Sequence, residues 1–88
     1  MSPHEDFEAE MRVAGLPVTT WANEAGYVYA SHTHPYRKTL CCLAGSIVFH
    51  TPEGDIELAA GDRLVLDPGT PHAATVGPRG VRCAEAHG

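Results

Sequence analysis

The sequence predicts an all-β protein, a sandwich or small antiparallel barrel, with one short helix in front of it. Three observations point there. Short runs rich in Val, Ile, Leu and aromatic residues recur along residues 18–87. Gly, Pro and Asp punctuate nearly every run, and helical spacing is confined to residues 1–15. A chain of 88 residues has room for one domain, residues 1–88, made of the helix (1–15) and the β-structure (18–87). A domain of this size buries a modest core, so association into a homodimer is expected.

Taken in order, the helix comes first. Ser2 is a capping residue, Pro3 suits the first helical position, and Glu5 completes an S-x-x-E capping box. Glu5, Asp6 and Glu8 complement the positive end of the helix dipole. Phe7, Met11 and Ala14 make one apolar face, and Gly15 ends the helix. After Pro17 the strand-like runs follow: VTTWAN, YVYASHTH, TLCCLAG leading directly into SIVFHT, then IELA, RLVLD, HAATV and VRCAEA. The turns between them are PEGD, AAGD, PGTP and GPRG, which gives about eight strands. Short, evenly spaced strands with almost no intervening helix suit a sandwich or barrel.

Composition removes several function classes. A net charge of −5 disfavours nucleic acid, whose binding rests on many Lys and Arg contacts to phosphate. No apolar run approaches the ~20 residues needed to span a bilayer. The acidic, polar start is unlike a secretion signal, so a cytoplasmic location is expected. The three cysteines agree: Cys41 and Cys42 are neighbours on a strand and point to opposite faces, and an odd count is no disulfide framework. They read as buried, reduced thiols.

Strand alternation places His32 and His34 on one face with Val28 and Ala30, and puts Tyr27, Tyr29, Ser31 and Thr33 on the other. His72 shares a face with Ala74 and Val76, and Lys38 with Leu40, Cys42 and Ala44. An H-x-H on a strand offers two imidazoles to one metal ion, because side chains two apart point the same way. Alone the pair is a weak signal. Around it stand Gly26 and Gly45, and later the segment GDRLVLDPGTPH.

Together these segments resemble the cupin superfamily, small antiparallel barrels of the jelly-roll kind. The first cupin motif has the form G(X)5HXH(X)3-4E(X)6G, and Gly26, His32, His34 and Gly45 match it, with Lys38 at the glutamate position. The second motif, G(X)5PXG(X)2H(X)3N, is met by Gly61, Gly69 and His72. Asp67 stands at its proline position, with one residue more of spacing, and Val76 at its asparagine position. The resemblance spans residues 26–76 and implies a jelly-roll barrel with an interior metal site. It implies His32, His34 and His72 as ligands for a divalent ion such as Zn, Fe, Ni, Cu or Mn.

Lys38, the only lysine, is the departure. An ammonium ~4 Å from a divalent ion is repelled by roughly 4 kcal/mol per unit of metal charge at an effective dielectric near 20. The lysine can swing away, lose its proton, or hold an anion in a metal-free pocket. Tyr36 and Arg37 follow the histidines and are candidates to orient a ligand, and Cys42 is a candidate wall residue on the face of Lys38. Glu85 replaces the missing acid if its strand alternation turns it inward. His4, His50 and His87 have no evident partner, and Asp62 suits the turn after Gly61. Two functions follow. One is a metal-dependent enzyme, dioxygenase-like, acting on a small molecule. The other is a non-catalytic, metal-free binder in which Lys38 holds an anionic ligand. The cup formed by Val28, Ala30, Leu40 and Ala74 would suit many small molecules.

Overall fold

Short apolar runs too small to bury themselves must stack, and two long strands do the stacking. A computed structural model describes residues 2–88. Helix α1 (Pro3–Val13) is followed by β1 (Val18–Asn23), β2 (Val28–His32), β3 (Lys38–Thr51), β4 (Gly54–Ala59), β5 (Arg63–Leu66) and β6 (His72–His87). All pairings are antiparallel. The first half of β3 and the second half of β6 pair with each other and with β5 and β1. Their other halves pair together and with β4 and β2. Two sheets result, β1-β6-β3-β5 and β2-β6-β3-β4, joined through the bends of β3 and β6. The eight runs read from the sequence are therefore six continuous strands, two of which serve both sheets.

The bends have a local cause. Register shifts interrupt the β3–β6 ladder between Cys42 and Ala44 and between Gly45 and Ile47. Gly45 has φ +72, and a Cβ on it would lie 1.9 Å from the Gly80 carbonyl oxygen. Only glycine allows the two backbones to approach this closely where the chain turns from one sheet into the next. Each bend also reverses which residues face inward. On β3 the inward set changes from Leu40 and Cys42 to Ile47 and Phe49, and on β6 from Ala74 and Val76 to Val81 and Cys83.

The main core lies between the sheets and includes Leu40, Ile47, Phe49, Leu58 and Val76. A second cluster lies outside the first sheet, where Phe7 of α1 packs with Cys41, Ala84 and Ala86 and is fully buried. Removing a Phe side chain of this size from water is worth about 1.5–3 kcal/mol. Ser2 and Glu5 form both halves of the capping box, at 3.1 Å each, so α1 starts where local chemistry places it. Arg63 lies 5.3 Å from the Phe7 ring centroid and pairs with Glu10, closing the helix onto β5. Ala14, assigned to the apolar face from spacing, is the exposed C-cap instead. Cys41 and Cys42 enter opposite clusters, and all three cysteines are free and buried. No described helix is long and apolar enough to cross a membrane.

Candidate metal centre and its cavity

His32 closes β2, His34 follows in the loop, and His72 opens β6 directly opposite His32. One ring nitrogen from each lies within 4.8 Å of the others. The ring centroids are 4.8 Å apart for His32–His34, 4.4 Å for His32–His72 and 5.2 Å for His34–His72.

The outward-facing nitrogens are already engaged. His32 Nδ1 lies 2.7 Å from the Ala30 carbonyl oxygen and His72 Nδ1 lies 2.9 Å from that of Thr70. A carbonyl only accepts, so both Nδ1 atoms carry a proton, and in the neutral ring Nε2 is then the atom that offers a lone pair. His34 Nδ1 meets the Tyr36 hydroxyl at 3.1 Å, and its Nε2 is buried with no hydrogen-bond partner. A buried polar atom without a partner is costly unless something fills the gap. Three imidazoles, each fixed from behind by an oxygen, fit a divalent cation, because such partners set ring orientation and tautomer at metal sites. Burial lowers the pKa of His34, helped by Lys38, His32 and His72. Burial also lowers that of His72, against the raising effect of its bond to Thr70, with His32 and Lys38 lowering it further. Both shifts favour the neutral, ligating form.

The His32 and His72 rings, but not that of His34, border a cavity of about 150 Å³ between the sheets. Its remaining wall is Trp21, Tyr29, Lys38, Leu40, Phe49, Ala74 and Glu85. Lys38 does not swing away. Its side chain, 14% exposed, faces the cavity, with Nζ 3.6 Å from Glu85 Oε1. Glu85 is the inward-facing acid that the sequence left open. Its Oε1 also accepts the Trp21 indole N–H at 2.6 Å, and its Oε2 lies 2.5 Å from His87 Nε2. An acid is thus restored to the cavity from another strand, as partner of the lysine.

Three assignments change. Tyr29 faces inward, packing against the core, whereas Val28 is 64% exposed and Ala30 is also exposed. The cause is one extra residue in β2: its register runs from Tyr29↔Ala74 to His32↔His72, three steps against two, so alternation flips between them. Cys42 lies in the core with Sγ near the Ala44 and Gly45 carbonyls, and is absent from the cavity wall. Tyr36 does not line the cavity either. It stacks between His34 (centroids 5.0 Å) and His87 (4.1 Å). The histidines without evident partners have them: His4 meets Glu8 at 2.9 Å, and His50 bridges Asp55 and Thr75 at 2.8 and 2.9 Å. Asp62 does serve its turn, accepting from the Ala59 N–H at 2.9 Å.

Comparison with solved structures settles what this architecture is. A cupin-2 domain protein from Shewanella frigidimarina superposes with TM-score 0.70 at 15% identity, over 81% of this chain and 68% of that one. A protein with a double-stranded β-helix domain from Klebsiella pneumoniae gives TM-score 0.70 at 29% identity, over 80% and 60%. The fold is that of a cupin. A structure from a study of the DMSP lyases RdDddP and RnDddQII also superposes, with TM-score 0.74 at 24% identity, over 83% of this chain and 38% of that one. The chain spans 68%, 60% and 38% of the length of these three proteins. No family profile matches it, and no curated protein matches it.

Proposed function

We propose that this cupin holds a divalent metal ion on His32, His34 and His72 and uses it on a small molecule taken into the adjoining cavity, in an oxygenase-like reaction. One observation carries the reading: three imidazoles, fixed from behind at Nδ1, bring nitrogens within 4.8 Å of one another beside a partly open cavity. A divalent ion held by the three imidazole nitrogens would supply Lewis acidity, and redox capacity if it is Fe or Cu. The protein supplies the rest. Trp21, Leu40 and Phe49 exclude water and present an apolar surface, and Lys38 sets a positive charge on the wall. The DMSP lyase likeness is compatible with a small substrate, without naming it.

Elemental analysis of the purified protein, before and after reconstitution with Fe, Mn, Ni, Cu and Zn, is the deciding test. One equivalent of metal that disappears in a His32→Ala/His72→Ala variant is the expected result, with oxygen uptake then screened on the Fe and Cu forms. A protein that takes up none of the five metals refutes the reading. A second reading has its own support in the placement of Lys38: a metal-free binder in which the ammonium holds an anion. The same metal analysis separates the two. We also propose a homodimer, on the ground that the outer face of the second sheet is uncovered, with Val28 64% exposed; sedimentation equilibrium tests it. The buried free thiols suit a reducing cytoplasm.

A further inference from the structure

We propose that the cavity is a seat for a small monocarboxylate with a short apolar tail, its carboxylate held by Lys38 on the side facing the three histidines. The inference rests on the metal reading for its second contact, and on the wall residues for everything else.

The argument begins with unequal satisfaction inside the Lys38–Glu85 pair. Glu85 is well supplied: Trp21 donates to one oxygen at 2.6 Å and His87 meets the other at 2.5 Å. Lys38 is not. Its distance to Glu85 is 3.6 Å, beyond hydrogen-bonding range, so the ion pair leaves its N–H donors without an acceptor. A lysine side chain only 14% exposed, whose ammonium lines the cavity with three donors to place, is a receptor for an oxygen anion.

The second observation is where the charges stand. Lys38 and Glu85 lie on the first sheet, and His32 and His72 face them from the second. With a divalent ion on the histidines, the cavity holds two positive centres and a single, already occupied carboxylate. A carboxylate has two oxygens, one for each.

Size and polarity restrict the rest of the ligand. The space is about 150 Å³, close to an apolar cavity known to take benzene, so about six heavy atoms fit. Trp21, Leu40, Phe49 and Ala74 offer the tail no polar partner except the indole N–H, which Glu85 already uses. A second carboxylate on the ligand would find no second cation on this wall. Butyrate is the natural probe.

The test is a nuclear magnetic resonance titration of the metal-free and Zn(II)-loaded protein with butyrate, with neutral butyramide of the same shape, and with inorganic phosphate. Zn(II) affinity is measured separately. Butyrate is expected to bind at least tenfold more tightly than butyramide or phosphate, with shifts centred on Lys38, Leu40 and His72. Lys38→Met should abolish that preference and leave Zn(II) affinity unchanged or raised. Lys38→Arg should retain the preference, and it decides the matter if the Met variant fails to fold. Equal binding of butyrate and butyramide, a preference that survives Lys38→Met, or phosphate binding as tightly as butyrate each overturns the inference while leaving the metal centre standing. Conversely, if no Zn(II) binds but the metal-free protein shows the Lys38-dependent preference, the metal reading fails and the carboxylate seat holds.

Discussion

The two sheets of this small barrel divide the work between them. The first, β1-β6-β3-β5, is covered on its outer face by α1 and carries Trp21, Lys38 and Glu85 on its inner face. The second, β2-β6-β3-β4, is bare outside, with Val28 exposed and His50 bridging Asp55 and Thr75, and carries His32 and His72 inside. The helix thus stabilises the side that holds the charge pair, while the side that holds the imidazoles depends on its own ladder and the shared core. Stability and metal binding can therefore be perturbed separately.

The largest effect is expected where the helix meets the first sheet. Phe7→Ala empties a fully buried site and should cost about 3–5 kcal/mol, a large part of the ~5–15 kcal/mol available to a domain. Denaturant unfolding would show it, and the Zn(II) affinity of the folded fraction should be unchanged. On the second sheet the dissociation is reversed. His72→Ala should weaken Zn(II) by more than the ~10–100-fold typical of losing an outer partner, while circular dichroism still reports folded sheet. Tyr36→Phe keeps the ring between His34 and His87 but removes the hydroxyl from His34 Nδ1. A loss of about tenfold in Zn(II) affinity is expected, and an unchanged affinity would show that the hydroxyl does not hold the ring. Cys83 tests how tightly the two sheets close. Burial, with Cys42 adding to it, pushes its thiol up to about 12, so it should resist thiol reagents at pH 8 until the protein unfolds. Smallest of all, Val28→Thr on the bare face should change stability by no more than ~0.5 kcal/mol, unless that face is covered in a dimer.

What the sequence disclosed was whatever depends on near neighbours. The capping box of α1 needs only Ser2 and Glu5, and the H-x-H pair needs only closeness along the chain, for His34 stands in the loop beyond β2 and not on the strand. His72 was reachable because GTPH resembles a known motif. Alternation failed wherever a strand gains or loses a residue. Tyr29 turned inward because β2 carries one extra residue before His32, a fact recorded only in its pairing with β6. Glu85 could not be assigned by counting from His72, since the register jumps from Val76 to Val81 across the bend of β6. Its partners, Trp21 and Lys38, come from two other strands, so no local window contains the group. The clue nearest to hand was the lone lysine itself, because a cation at the position of a missing acid needs an acid from elsewhere.

Trp21 is the chain's single tryptophan, and its indole stands on the cavity wall with its N–H on Glu85. Its emission therefore comes from one place only, the space where a ligand and a metal would meet. A Cu(II) ion there would quench it, and an apolar guest that displaces water would shift it to the blue. The protein carries its own lamp inside the cup, and every occupant can be counted by the light it changes.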